Sequence, residues 1–294
     1  MLDARHRSNQ QKAEVYALEV TGKDIRQVEM SASVIPAGTP INIAFLGNEN
    51  HSQRVNAARI IRACGFEPVP IISSRRLRSE NDLNTLLERL ITEARPSRFI
   101  FVGGDPSSPA GPFQDALAIL RSGVVQRYGI RHVGIVGYPE GHSKIDADTL
   151  QKSLKWKYAF LRDAGCTVEI TTQFGFDTDA VVRWIGQLRT EGIEALVRIG
   201  VPGPADVSTL LRFARQFGVA TSSLIARRYG QSLSHLLRRS VADRYWKDLT
   251  TGIKDQDLGA IHYHLYPFGG ILDGVHWMNQ RVPQNLPDRN DPAG

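Results

Sequence analysis

The chain has 294 residues, 41% hydrophobic and 22% charged, with two cysteines, Cys64 and Cys166, and a formal net charge of +6. That composition excludes a disordered chain and a disulfide-stapled scaffold, and it suits a reducing, cytoplasmic compartment. The apolar runs all fall short of the ~18 residues of a membrane span, and the polar start from Met1 to Lys12 lacks the apolar core of a secretory leader, so neither is expected.

Short β-branched or apolar runs recur along the chain at Val15–Val20, Ile41–Leu46, Pro68–Ile72, Phe99–Val102, Val133–Val136, Thr167–Thr172, Ala195–Ile199 and Ala260–Leu265. Most are near-continuous, as parallel strands covered on both faces would be. The stretches between them carry helical spacing. Leu150, Leu154, Tyr158 and Leu161 share one face, as do Val181, Val182, Ile185 and Leu188, and again Val207, Leu210, Leu211, Ala214 and Phe217. Asp177 and Asp206 stand where N-caps belong, and Gly65, Gly165, Gly192 and Gly218 where helices should stop. Such alternation in a chain of this size predicts an α/β fold, a single (β/α)8 TIM barrel over 15–280. A doubly wound open sheet would give the same local pattern. Extra helices, one of them basic around Leu233–Tyr245, are expected before the last strand. A polar arm over 1–14 and a polar tail over 281–294 flank the barrel.

The chemistry of a barrel sits at the carboxyl ends of its strands, and the unusual polar residues fall there. Glu19 interrupts the first run, and Asp105 follows Gly103-Gly104 after the fourth. Tyr138-Pro139-Glu140-Gly141-His142 follows the fifth, Gln173 ends the sixth, and Gly200 to Pro204 continue the seventh. His262 and His264 alternate on the eighth and so share a face. Each has a plainer reading, as a turn former or a strand-end polar residue; what those readings leave out is that all share one rim. The two histidines lack a third ligand, so no metal is expected. Dinucleotide-fold, P-loop and nucleophile-elbow motifs do not occur, and both cysteines read as small buried hydrophobes. The pI near 9.4 fits an anionic small molecule or a nucleic acid. Arg227-Arg228-Tyr229 and Arg238-Arg239 lie outside any recognition motif, so a nucleic-acid partner is not expected.

GGDP at 103–106, GYPEGHSK at 137–144, DAG at 163–165 leading into TTQFGFD at 171–177, and HYHLY on the last strand resemble the methylenetetrahydrofolate reductases. The likeness runs in order from about Val15 to Met278. It implies a barrel that reduces 5,10-methylenetetrahydrofolate to 5-methyltetrahydrofolate through FAD, with NADH or NADPH as reductant. By that likeness Glu19 and Asp105 are the catalytic residues, Glu19 as the acid that opens the folate ring and Asp105 as a carboxylate that stabilises the cation formed, and Asp105 and Gln173 hold the pterin. Phe45, Gly103, Gly104, Asp105, Tyr138, His142 and Lys157 belong to the cofactor site, and the basic surplus meets its phosphates and the folate tail. Homo-oligomers are compatible with it. The pattern departs at three flavin-contact positions, where Ile71, Gly103 and Leu161 stand for a histidine, an arginine and a lysine. Those departures keep open a flavin-independent reductase that uses the nicotinamide directly, and an enzyme working mainly as a 5-methyltetrahydrofolate oxidase.

Overall fold

A computed structural model describes residues 15–47, 49–216 and 240–282. Eight parallel strands close into one barrel in chain order. They are β1 (Tyr16–Thr21), β2 (Pro40–Ala44), β3 (Glu67–Ser73), β4 (Phe99–Val102), β5 (His132–Gly137), β6 (Thr167–Thr172), β7 (Leu196–Pro202) and β8 (Ile261–Tyr266). The closed ring decides for the barrel over the open sheet. Around it lie α1 (Ile25–Met30), α2 (His51–Ala63), α3 (Glu80–Glu93), α4 (Ala116–Arg121), α5 (Val124–Arg127), α6 (Ala147–Asp163), α7 (Thr178–Thr190), α8 (Val207–Gln216), α9 (Ser240–Ile253) and α10 (Ile271–Asn279). Among the described residues two helices, α8 and α9, thus lie between β7 and the last strand. Phe217, Gly218, the two arginine runs and the first part of the basic helix lie outside the described residues, as do the arm and nearly all of the tail.

Helix starts follow local chemistry. Asn50 and Gln53 form a reciprocal capping box on α2, each bond 2.9 Å. Asp177 caps α7 by accepting from the Ala180 N–H at 3.1 Å. The stops are left-handed glycines after α2, α6 and α7, at Gly65, Gly165 and Gly192.

The strands alternate more sharply than their sequence suggests. Tyr16, Leu18 and Val20, Ile41 and Ile43, Phe99 and Phe101, Val133 and Ile135, Val168 and Ile170, Val197, Ile199 and Val201, and Tyr263 and Leu265 all join the helices in one continuous core. The intervening positions therefore face the barrel interior, and many of them are polar and buried: Asn42, Ser73, Glu169, Thr171, Arg198 and His264. A barrel interior is ordinarily filled by branched apolar side chains. Here an ionic cluster forms its floor. Glu169 accepts from Arg198 Nε at 2.7 Å and from Arg98 Nη1 at 3.0 Å, and the His132 ring touches it at 2.8 Å. Burial alone would raise the Glu169 pKa, but Arg198, His132 and Arg98 outweigh it and hold the carboxyl well below the usual range.

Removing Arg198 takes a charge-assisted hydrogen bond from Glu169 but leaves Arg98 and His132 against it. Arg198→Met is therefore expected to lower the unfolding free energy by about 1.5–3 kcal/mol in urea denaturation. The folded pKa of Glu169 lies below its unfolded value, so its stabilisation is present above the unfolded value. In the parent protein it is expected to persist through neutral pH and to fade only as acid drops below the ordinary carboxylate range, which urea midpoints against pH will read.

Candidate active site

The rim at the strand carboxyl ends holds two groups of side chains. The first spans the seam where β8 meets β1. Glu19 Oε2 lies 2.9 Å from His264 Nε2. The His264 ring meets Tyr266 edge-on at 4.7 Å, and the Tyr266 hydroxyl donates to the Thr172 carbonyl at 3.2 Å. Burial, with Glu19 and Tyr138 adding, pushes the Tyr266 phenol well up, so it stays neutral. Tyr138 is likewise raised by burial, and its ring stands edge-on to His142 at 5.3 Å. Burial, assisted by Lys144, pushes the His142 pKa down. Gln173 and Tyr138 line one small cleft, with the Phe174 and Gly141 loops as its walls.

The second group spans β2 to β4. Phe45, just past β2, carries the Arg54 guanidinium on its ring at 3.7 Å, a cation–π contact. Arg54 donates to the Ile71 carbonyl, while its Nε and Nη1 are buried without partners among the described residues. Burial pushes Arg54 down to about 9; Glu49 opposes that shift and Arg76 adds to it. Asp105 is exposed and paired with Arg76. Two consecutive arginines thus manage the GGDP loop. Arg75 donates to the carbonyls of Pro106, Ser107 and Gln114, and Arg76 takes the Asp105 carboxylate. Gly104 turns with φ +92°, and a Cβ there would lie 2.2 Å from Ser73 Oγ, so glycine is required.

The structure therefore brings Glu19 beside His264 and Tyr266, and Gln173 beside Tyr138. It sets Asp105 with Phe45 and the arginines, and no hydrogen bond or ion pair joins Asp105 to Glu19. Lys157 lies elsewhere. It is the eleventh residue of α6, about 15 Å along the helix from its start. It is buried there, with its pKa lowered by burial and partly restored by Asp115. Both cysteines are free. Burial pushes each thiol up, aided by Glu29 at Cys64 and opposed by Arg131 at Cys166, so neither is an activated nucleophile. Among the described residues no group of three acidic, cysteine or histidine side chains is placed to hold a metal, and no helix is long and apolar enough to cross a membrane.

Sequence reasoning placed His264 on the rim only as a candidate metal ligand and missed its pairing with Glu19, and it missed Glu140 as the latch between the two most specific motifs. The Glu140 carboxylate accepts from the Phe176 and Asp177 N–H groups at 2.5 and 2.8 Å. Its Oε1 sits 2.0 Å from where a Cβ on Gly175 would stand. YPEGH and TQFGFD are thus two halves of one loop contact, and their glycine and glutamate specify each other.

No protein-family model matches the chain. Methylenetetrahydrofolate reductase 2 of Saccharomyces cerevisiae is 29% identical over 124 residues, 38% of this chain and 19% of that protein. The chain resembles the methylenetetrahydrofolate reductases. It spans about a fifth of the length of that curated relative. A protein from Clostridium thermocellum that binds two copies of 5-methyl-5,6,7,8-tetrahydrofolic acid shares the fold, with a TM-score of 0.60 at 11% identity over 90% of this chain and 92% of that one. The dihydropteroate synthase of Thermus thermophilus does so at 0.50 and 9% identity, over 91% of this chain and 94% of that one.

Against the flavin contacts implied by likeness to the reductases, three positions do not fit. Leu161 is fully buried in the helix layer. Ile71 offers only its carbonyl, already taken by Arg54, and Gly103 has no side chain. Gly104→Ala is expected to destabilise the chain by about 1–3 kcal/mol through positive φ and the Ser73 clash, read as a lowered thermal midpoint.

Proposed function

We propose that the protein interconverts 5,10-methylenetetrahydrofolate and 5-methyltetrahydrofolate, with NADH or NADPH as the source of reducing equivalents. The pair formed by Glu19 and His264 at the barrel mouth carries this reading. Reduction requires the five-membered ring of the folate to open. A proton goes to the departing ring nitrogen, which keeps the electron pair of the broken C–N bond, and the carbon becomes an electrophilic iminium. A hydride then completes the methyl group. Glu19 is the acid for the first step. Its side chain is only 22% exposed, so substrate can reach it while bulk water is largely shut out. Its conjugate base then sits beside the cation it has created, which stabilises it.

Asp105 accepts N–H bonds from the pterin in exchange for Arg76, and the Gln173 amide both donates and accepts along the heterocycle edge. The same residues serve the reverse reaction, oxidation of 5-methyltetrahydrofolate.

FAD is the hydride carrier that the family likeness implies, with Phe45, Gly103, Gly104, Asp105, Tyr138 and His142 as its rim contacts; Lys157, buried far down α6, stands away from them. A second reading, direct transfer from the nicotinamide, is favoured by the side chains at Ile71, Gly103 and Leu161, none of which can hydrogen-bond to a flavin. The visible spectrum of the purified protein, with and without added FAD, separates the two. Bound flavin bands and FAD-dependent turnover support the carrier; a colourless protein that oxidises NADH or NADPH with methylenetetrahydrofolate supports direct transfer.

For either donor, Glu19→Gln is expected to lower turnover about 10²- to 10⁴-fold, the range of a lost general acid, while 5-methyltetrahydrofolate binding, read by titration calorimetry, changes little. Undiminished turnover in that variant would remove Glu19 from the role.

A further inference from the structure

His264 is fully buried, at 0% exposure. Its Nε2 faces Glu19 Oε2 at 2.9 Å. Its Nδ1 is buried and has no partner among the described residues. Tyr266, which packs edge-on against the ring, has its hydroxyl hydrogen on the Thr172 carbonyl and so cannot donate to Nδ1, and no acceptor stands within hydrogen-bond reach of that nitrogen among the described residues. A neutral imidazole carries one N–H, and the two choices are not equivalent here. With hydrogen on Nε2, the ring donates to Glu19 and leaves a bare acceptor at Nδ1. With hydrogen on Nδ1, the ring buries an orphaned donor, the rarer and more costly defect, and Nε2 can only accept from a protonated Glu19. The charged imidazolium would orphan the same Nδ1–H.

We propose that His264 is a positioning residue for Glu19. It donates from Nε2 to Oε2 and so confines the acidic proton of Glu19 to Oε1, the oxygen left without a partner among the described residues. Glu19 then has one oxygen fixed by the fold and one free for substrate, and its proton cannot be lost inward to the ring. An apolar residue at this depth would pack without any unpaired nitrogen. The imidazole is therefore explained by what it does to Glu19, in line with the orientation of catalytic groups by a buried second partner. The inference rests on Glu19 being the acid of the proposed reaction.

Two measurements test it on the full chain. Nitrogen-15 imidazole spectra of the wild type report the tautomer of His264 without requiring turnover. Nε2 protonated and Nδ1 bare is expected, with the Nε2 signal moving in Glu19→Gln. Steady-state kinetics of His264→Leu and His264→Gln read the role. Loss of the donor in His264→Leu should lower kcat at least about tenfold with KM nearly unchanged. The glutamine amide, which can place an N–H near the same point, should recover most of it, and thermal melts verify that each variant is folded. An Nδ1–H tautomer overturns the inference whatever the protein turns over. So does a His264→Leu variant with full kcat, or a folded glutamine variant as slow as the leucine one. A wild type with the Nε2–H tautomer and no folate turnover instead overturns the assigned reaction, and with it the catalytic purpose of the hydrogen bond.

Discussion

Ring closure between the first and last strands is the constraint on which the site depends. β8 lies beside β1 in parallel, pairing Tyr16 with Tyr263, Ala17 with His264 and Leu18 with Leu265. Alternation then places Glu19 on the interior face that Ala17 and His264 share. A slip of one residue in both strands would turn Glu19 and His264 outward into the apolar helix layer, and would bring Tyr16, Leu18, Val20 and Leu265 inward. Burying a carboxylate in that apolar layer is costly, so the helix-facing core enforces the register of the interior face that holds Glu19 and His264. A clasp outside the barrel supports the seam. Asn279, the last residue of α10, accepts from the Tyr16 hydroxyl and donates to the Val34 carbonyl, each at 2.8 Å.

Two interior carboxylates show how one fold separates structure from chemistry. Glu169 at the floor is surrounded by Arg198, Arg98 and His132, and the two guanidiniums together with the His132 hydrogen bond fix it as an anion. Such over-pairing suits a plug that closes the barrel bottom. Glu19 at the mouth pairs, among the described residues, with His264 alone and keeps partial exposure. The general-acid role proposed for Glu19 calls for that sparser setting. The polar interior is thus graded along the barrel axis, from a saturated cluster that resists change to an under-coordinated pair that can undergo it.

Most of the fold was legible because its signals are local. Each of the eight apolar runs became a strand with ends shifted by three residues or fewer, since β-branched runs bounded by caps and left-handed glycines leave little choice. The alternation within them was harder to read. Arg198 and Glu169 look like interruptions of buried strands until closure shows that every second position faces one another across a lumen. The rim positions of Glu19, Asp105, Tyr138 and Gln173 were legible from topology alone. Their partners were not. Glu19 and His264 are 245 residues apart, and no spacing rule links them before the ring is closed. Glu140 read as turn composition because its role depends on the absent side chain of Gly175, a complementarity that neither motif displays by itself. Lys157 carries a charge that suggests a ligand, while its place far down α6 follows from helix geometry.

The basic surplus also changes meaning once its members are located. A charge of +6 invites a reading in which arginines wait for phosphates, yet several are already committed to backbone oxygens. Arg189 donates to the carbonyls of Leu258, Ile193, Ala195 and Ala260, and so ties α7 to the segment entering β8. Arg62 joins the end of α2 to the carbonyls of Ala94 and Arg95. Arg75 braces the GGDP loop in the same manner, and Arg54 takes the carbonyl of Ile71. A planar guanidinium suits this task because its donors fork toward several acceptors at once. Apart from Arg54, whose acceptor lies within β3, these arginines satisfy carbonyls in the connections between elements. Of the cations placed at the β2–β4 rim, Arg76 is the one held by a single exposed carboxylate, Asp105. The Arg76 side chain is largely buried while Asp105 is exposed, so an incoming anion would meet that guanidinium by replacing the Asp105 carboxylate. Among the described residues, Arg54, Arg62, Arg75 and Arg189 are thus structural cations, whereas Arg76 faces the exposed carboxylate of Asp105 at the rim.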